Sequence, residues 1–378
     1  MPRRWETALG IIGLGACLAT VPAVGADAPA NSRSLVITYF ATPQNWQLYE
    51  ANDDDCPEGF TQGLNELTLP FLSAAERERF KSGINGMVDT VANVNRNSPE
   101  LCARPWAFED PPVKAVKGRL ARGMNLDGSD GDAPNVCRHE NFISPAGETG
   151  IDNQFYRALG CVHGWRPKPS YLGGHWETFH VGARRSGETT TVIEITSVED
   201  DRNDASVEVS FYASADATVF DTQNRGLPFV SYTATEDPKY RARVQGRIKD
   251  GVLETDPADV RLAFSYGVTD KEHTGYYLRG ARLRLELKPD GTAKGMIGGY
   301  FDVETAFATY FNSRPGPFMP RISSSFGWSC PAVYQALHDM ADGYPDETGK
   351  CTAISTAYDI EAVTAFTIQP KAKTAEAR

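Results

Sequence analysis

Residues 282–301 have the sequence RLRLELKPDGTAKGMIGGYF. Three leucines in the first part alternate with charged residues, which is the period-two pattern of a strand buried on one face. A Pro-Asp-Gly turn ending at Gly291 follows, and residues 295–301 return as a second strand. The stretch therefore predicts an antiparallel hairpin, and it indicates the fold class of the larger region around it.

Similar runs elsewhere extend this hairpin. A second Asp-Gly turn, ending at Gly251, separates residues 243–248 from a short apolar run. Further strand candidates rich in β-branched and aromatic residues are residues 34–40, 191–195, 207–212 and 352–368, the last as one or two closing strands. We expect a mainly β protein: an antiparallel β-sandwich or barrel with short helices and a long loop region stapled by disulfides and calcium.

Two helices are predicted from their termini. Ser73 and Glu76 form a capping box, in which each side chain bonds the other residue's backbone, so a helix begins near Ser73. Pro331 favours a helix start, and that helix runs to about Ala341 before Gly343 ends it.

After the signal peptide, the expected segments of the chain form one globular unit. They are a signal peptide at 1–26, a strand and helical segment at 27–110, an Asp/Gly-rich loop region at 111–174, an antiparallel β domain at 175–312, a C-terminal helix with closing strands at 313–370, and a disordered tail at 371–378.

The N-terminus is typical of an export signal. Arg3 and Arg4 precede an apolar run at residues 8–18, and small residues ending at Ala26 follow. The apolar run is shorter than the roughly 20 residues that span a bilayer. We therefore predict cleavage after Ala26 and a periplasmic or extracellular protein. Two alternatives remain, namely a lipoprotein attached through Cys17 of the sequence LGAC, and a buried N-terminal helix.

The cysteine count agrees with export. One of the seven cysteines lies in the leader. The six others are the disulfide candidates Cys56, Cys102, Cys137, Cys161, Cys330 and Cys351. Six cysteines allow fifteen pairings, and we expect sequence neighbours to pair: Cys56 with Cys102, Cys137 with Cys161, and Cys330 with Cys351. None forms a CxxC motif, which argues against a zinc ribbon or a thioredoxin-like redox site.

Composition favours a globular, acidic protein. Hydrophobic residues make up 41% of the chain, enough for a substantial core. Without the leader, 36 basic and 48 acidic residues remain, a net charge of −12. Because such a surface repels phosphate backbones, nucleic acid is not an expected partner.

Residues 125–132, NLDGSDGD, carry the strongest local signal for a bound ion. Oxygen-bearing side chains alternate with glycines that permit tight turns, and calcium takes six to eight oxygen ligands. The predicted ligands are Asn125, Asp127, Ser129, Asp130, Asp132 and Asp152, with Glu140, Asn141 and Asn153 able to complete the shell. The spacing is not that of an EF-hand. The alternative is a solvated surface turn.

Two other polar groups carry weaker hypotheses. Residues 199–204, EDDRND, are interpreted as a polar hairpin loop, or alternatively as a cation site or a loop salt-bridged around Arg202. His163, His175 and His180 could hold a transition metal, although ordinary surface or core histidines explain them equally simply.

Catalytic signatures are missing from the sequence. It contains no G-x-S-x-G elbow, no S-x-x-K and no phosphate loop, and the strand serines Ser197, Ser206 and Ser265 have no motif around them. A carboxylate pair for glycoside hydrolysis stays open, because its geometry is invisible in a sequence. Aromatic residues near glycines, which suit either sugar stacking or core packing, are Trp165, Tyr171, Trp176, Tyr276 and Tyr277.

Three stretches carry a resemblance: residues 150–161 (GIDNQFYRALGC), 330–332 (CPA) and 351–354 (CTAI). With them, the chain resembles a group of uncharacterised exported proteobacterial proteins. The resemblance implies a bacterial origin and attaches no activity.

The leading functional hypothesis is an exported, calcium- and disulfide-stabilised binding or accessory protein with an unknown ligand or protein partner. One alternative is an extracytoplasmic hydrolase acting on glycans. The other is a periplasmic accessory protein for a metal or redox enzyme.

Overall fold

The computed structural model describes most of the chain. The described residues are 32–41, 55–59, 61, 72–81, 102–128, 135–162, 184–185, 187, 189–263, 275–310 and 329–370. The predicted leader, Cys17 and the predicted tail lie outside these residues.

Eleven strands belong to one sheet in the described residues. They are β1 (Arg33–Ala41), β2 (Thr190–Thr196), β3 (Asp204–Ser214), β4 (Val230–Thr233), β5 (Arg241–Lys249), β6 (Val252–Thr255), β7 (Ala258–Leu262), β8 (Tyr276–Leu287), β9 (Thr292–Asp302), β10 (Gly343–Pro345) and β11 (Cys351–Ile368).

Eight of these strands close into an antiparallel barrel. Their order is β1-β2-β3-β5-β6-β8-β9-β11, and β11 pairs back with β1 to complete the ring. Outside the ring, β4 pairs parallel with β11, while β7 pairs with β8 and β10 with β11. The expectation of an antiparallel sandwich or barrel is thus confirmed, and the architecture is the barrel.

Side chains fill the barrel interior. The leucines of the opening hairpin, Leu283, Leu285 and Leu287, are buried, while the charged residues between them are not. Rings stack in the same core, where Phe40 lies 4.5 Å from Tyr358 between ring centroids. Because apolar side chains from every barrel strand line one continuous cluster, this is a packed core and not a channel.

Four α-helices lie among the described residues. They are α1 (Ala74–Lys81), α2 (Gln154–Leu159), α3 (Val303–Tyr310) and α4 (Cys330–Asp339). The capping box at α1 is present, since Ser73 N donates to Glu76 Oε2 at 2.8 Å and Glu76 N donates to Ser73 Oγ. Two of the four, α2 and α3, were not predicted. No described helix is long and apolar enough to cross a membrane.

Residues 102–128 and 135–162, here called the loop module, pack against the barrel, and Phe155, Ala158 and Leu159 of α2 join its core cluster. Their backbone forms isolated bridges, for example Met124 with Asp152 and Phe142 with Ile151, and contains only α2 and one 3₁₀ turn. This agrees with the predicted long loop region. The module meets the barrel at β9, β10 and β11, where Leu126 packs on Tyr300 and Ala353.

Three disulfides are present, and all three neighbour pairings predicted above are wrong. The bonds are Cys56–Cys161, Cys102–Cys330 and Cys137–Cys351. The latter two join the loop module to the start of α4 and to the start of β11. Most of the barrel strands lie in the chain between Cys102 and Cys330 and between Cys137 and Cys351, so tertiary packing and not sequence spacing selects the partners.

Candidate metal centre

Asp152 is the central residue of a buried polar cluster at the junction of loop module and barrel. It directly precedes the N-cap of α2 and is fully buried. Its Oδ2 accepts hydrogen bonds from Leu126 N at 2.7 Å and from Asp127 N at 3.4 Å. The carboxylate therefore orders the beginning of the Asp/Gly-rich loop and brings Asp127 beside it.

His139 reaches the same carboxylate from another segment. Its Nδ1 lies 2.8 Å from the carbonyl oxygen of Cys137, and because a carbonyl only accepts, Nδ1 carries a proton. Its Nε2 lies 2.8 Å from Asp152 Oδ1. The Cys137–Cys351 disulfide anchors this segment to β11. Both the rotation of the ring and the direction of Nε2 are thus fixed.

Asp127, His139 and Asp152 can each offer one ligand atom, and these atoms lie within 4.8 Å of one another. Ligands to one zinc-sized ion at bond lengths of about 2.0–2.2 Å fall within such a distance of each other. A carbonyl that holds the second nitrogen of the imidazole is the usual support of a metal-binding histidine. The three side chains therefore have the composition and spacing of a candidate metal centre.

Asp342 lies on the barrel side of this cluster, between α4 and β10. Its Oδ1 accepts from Ser355 N of β11 at 2.7 Å, and its Oδ2 is 3.7 Å from His139 Nε2. This Oδ2 accepts no hydrogen bond from any described residue. The buried hydroxyl of Tyr300 likewise makes no hydrogen bond to a described residue. Buried polar atoms of this kind are rare and call for a partner such as an ion or water.

Close packing holds Tyr300 at this place. A Cβ on residue 343 would come within 2.3 Å of the Tyr300 ring, so Gly343 is required where β10 begins. The ring also packs edge-on against Tyr344, at 5.6 Å between centroids. Gly343 was expected to end the preceding helix, but α4 ends at Asp339 with Met340 as its C-cap. Gly343 instead begins β10 and makes room for Tyr300.

The electrostatics of the cluster follow from its burial and from its several carboxylates. Burial favours the neutral ring of His139, but the hydrogen bond to Asp152 and the charge of Asp342 outweigh burial and raise its pKa to about 9. Burial raises the pKa of Asp342 to about 7, against the opposing charge of His139. Burial and the neighbouring carboxylates also raise the pKa of Tyr300. Without a further cation, the imidazolium is the positive charge that these carboxylates share.

The structure brings together only some of the predicted ligands. Asp127 and Asp152 meet as predicted. Asn125 does not join them, since its Oδ1 accepts from Gly128 N at 2.7 Å and closes a tight turn. Ser129, Asp130 and Asp132 lie outside the described residues.

Asn153 and Glu140, two of the residues proposed to complete the shell, make contacts within the loop module. Asn153 caps α2 by accepting from Tyr156 N, and its amide nitrogen donates to Arg122 O at 2.7 Å. The carbonyl of Glu140 accepts from Gln154 and Arg157. These contacts hold the loop module together.

Sequence reasoning missed His139 altogether. The histidines considered as metal ligands from the sequence were His163, His175 and His180, which lie outside the described residues. The available signal was the position of His139 two residues after a disulfide cysteine, which fixes the backbone next to the ring.

The other polar candidates have structural roles in the described region. Residues 199–204 form the exposed loop between β2 and β3, where Asp204 Oδ2 accepts from Glu199 N at 2.8 Å and Arg202 reaches the carbonyl of Asp250. Ser197 and Ser206 are exposed, whereas Ser265 lies outside the described residues.

The two described tyrosines of the aromatic group differ in environment. Tyr276 is buried in the barrel core against Phe40, and the Tyr277 hydroxyl donates to Asp259 Oδ2 at 3.0 Å. Trp165, Tyr171 and Trp176 lie outside the described residues. Tyr276 therefore belongs to the core and does not form a stacking surface for sugars.

Comparison with models of protein families, with characterised proteins and with solved structures finds no match for this chain. This agrees with a resemblance that carries no activity. The bacterial origin implied by that resemblance stays a prediction.

Proposed function

We propose that this protein is an exported binding or accessory protein that holds a divalent metal ion at Asp127, His139 and Asp152. The observation that carries the proposal is the convergence of one imidazole and two carboxylates, next to a buried Asp342 oxygen that accepts no hydrogen bond from the described residues. The ion would neutralise the carboxylates and hold the segments of the loop module together.

The donor set favours a zinc-like ion. Imidazole nitrogen suits zinc and other transition metals, whereas calcium is held by oxygen atoms. Asp342 and Tyr300 provide further oxygen near the three ligands. Calcium is the second candidate, favoured by the Asp-rich sequence of residues 125–132, of which Asp127 reaches the cluster.

The burial of the ligands supports a stabilising role for the ion. Asp152 is fully buried, and the side chain of His139 is only 7% exposed. A catalytic metal keeps an open position for water or substrate, but a structural metal is enclosed by its ligands. Binding by the folded protein alone adds directly to its stability.

Disulfides suggest export, because such bonds persist in oxidising compartments. Cleavage after Ala26 and the alternative of lipidation at Cys17 remain predictions. So do the glycan hydrolase and the redox-enzyme accessory protein, and the histidines on which the latter rests lie outside the described residues.

Thermal unfolding tests the metal proposal. Protein stripped with chelator is melted alone and with Zn²⁺, Ca²⁺ or Mg²⁺, for the parent and for His139→Gln and Asp127→Asn. We expect zinc to raise the melting temperature of the parent most, calcium less and magnesium least, and both variants to lose the zinc response.

A matched control is Asp346→Asn. Asp346 is an exposed carboxylate in the β10–β11 turn that accepts from Thr348 N and Lys350 N, so it should keep the full metal response. If chelation leaves the parent's melting temperature unchanged and zinc has no effect, the cluster is a hydrogen-bonded ion-pair network and the proposal is wrong.

A further inference from the structure

Arg184 is a buried cation at one edge of the barrel, remote in sequence from the metal centre. The residue is only 2% exposed. Its Nη2 makes a long hydrogen bond of 3.4 Å to the carbonyl of Phe40 in β1, and its Nη1 has no partner among the described residues. The next residue offers a contrast: Arg185 is exposed, donates to Asn224 Oδ1 and lies over the ring of Phe220.

No described carboxylate balances this charge. Burial lowers the pKa of Arg184 to about 10, and the groups that oppose this lowering are the phenols of Tyr276 and Tyr39. The guanidinium is therefore still protonated at neutral pH, whereas the phenols are neutral there. A buried charge is strongly unfavourable unless a counter-charge accompanies it, and the described residues supply none, so the site is suited to an anion.

The guanidinium borders a small cavity of about 20 Å³. The other lining residues are Ile37, Phe40, Thr189, Thr191, Leu262, Ala263 and Tyr276. The hydroxyl of Thr189 is a second buried group without a hydrogen-bond partner among the described residues. The hydroxyl of Thr191 is already engaged with Ala263 N. The cavity thus has two unused polar groups, both able to donate, between apolar walls.

Size and charge together define the ligand. A cavity of this volume holds one species about the size of a water molecule. Water could bond the two donors but would leave the charge unbalanced, and a tetrahedral dianion such as sulfate is too large. We infer that Arg184 and Thr189 bind a small monovalent anion of about the size of a halide ion.

Anion-dependent melting tests this inference. The parent is melted at constant ionic strength in sodium isethionate, a bulky sulfonate, with increasing chloride, bromide, formate or octanoate. Chloride and bromide should each raise the melting temperature by about 3 °C when present at 100 times the dissociation constant. Stabilisation by octanoate at far lower concentration than by chloride would overturn the assignment to a halide-sized anion.

Variants separate the site from general salt effects. Arg184→Gln should abolish the dependence on anion identity, and Arg185→Gln, which changes the exposed neighbour, should retain it. Because the readout is the response to anion, a change in the absolute stability of Arg184→Gln does not affect the comparison.

Diffraction from parent crystals grown in bromide covers the case in which Arg184→Gln does not fold. An anomalous peak within hydrogen-bonding distance of the Arg184 guanidinium is the expected result. Equal melting in all salts, or a carboxylate of the chain itself seated against Arg184 in place of bromide, would overturn the inference.

Discussion

The barrel and the loop module are stabilised in different ways. The barrel buries one continuous cluster of apolar side chains contributed by all eight strands. Helix α2 of the loop module adds Phe155, Ala158 and Leu159 to this cluster. The rest of the module has a small apolar cluster of its own, which includes Val116, Phe142 and Ile151, together with disulfides and buried polar groups. Each buried charged side chain of the module has its own hydrogen-bond partners, and several of these partners are distant in sequence.

Arg157 illustrates the polar type of packing. Its guanidinium lies 3.9 Å from the ring centroid of Phe142 and donates to the carbonyls of Val116 and Glu140 and to Gln154 Oε1. One side chain thereby connects three segments of the module. The comparison teaches that the barrel is specified by local periodicity, whereas the module is specified by long-range partners.

The largest expected effect is the loss of a disulfide between the two regions. Replacing Cys137 and Cys351 together by serine should lower the free energy of unfolding by up to roughly 4 kcal/mol, because the bond closes a loop of about 56 residues when Cys102–Cys330 is intact. Denaturant titration of the oxidised proteins measures this.

The Cys56–Cys161 bond is the matched comparison. With the other two bonds intact it closes a loop of roughly 90 residues, so its removal should cost the same within about 0.5 kcal/mol from loop closure alone. A loss below about 1 kcal/mol for the Cys137–Cys351 pair would show that the bond does not hold the module in place.

Core truncations should separate the two regions. Leu253→Ala in the barrel and Ile151→Ala in the module both remove buried side chains and should each cost about 2–5 kcal/mol. Hydrogen exchange should show Leu253→Ala weakening amide protection in both regions, and Ile151→Ala weakening it in the module only. Equal loss in both regions for Ile151→Ala would mean that the molecule opens as a single unit.

Removal of the metal should destabilise the loop module. At a free metal concentration 100 times the dissociation constant, binding adds roughly 2.7 kcal/mol. Because the ligands Asp127, His139 and Asp152 all belong to the module, chelation should reduce protection of its amides while β3 and β5 keep theirs. Uniform loss across the barrel would contradict a local role for the ion.

The smallest effects concern surface ion pairs. Arg122 of the module forms a two-pronged pair with Asp359 of β11, at 2.7 and 2.8 Å, and Arg122→Met should cost about 1–2 kcal/mol. Lys294→Met breaks the exposed pair with Glu361 between β9 and β11 and should cost less than about 0.5 kcal/mol. Denaturant midpoints measured in low and high salt check both values, and equal costs would remove the distinction between them.

The barrel could be predicted from the sequence better than the loop module. The alternating leucines of β8 and the Asp-Gly turns at Gly251 and Gly291 act over a few residues, and each appears in the structure as predicted. The short strands β4, β7 and β10 were missed, because three to five residues carry too little periodicity to be recognised.

The candidate site could be predicted only in part. Asp127 and Asp152 were chosen for their chemistry and do meet, yet His139 and Asp342 join them through packing against β10 and β11. The disulfide partners failed for the same reason, since nothing local to Cys137 indicates Cys351. Long-range contacts of this kind require the fold itself.

The most direct test of the proposed metal centre is the metal content of the native protein. Parent and His139→Gln are purified from an oxidising compartment without added metal or chelator and analysed by plasma mass spectrometry. We predict that the parent retains a divalent ion at close to a single equivalent per chain and that the variant has lost it. A metal-free parent, or equal metal in both proteins, would contradict the assignment of Asp127, His139 and Asp152 as its ligands.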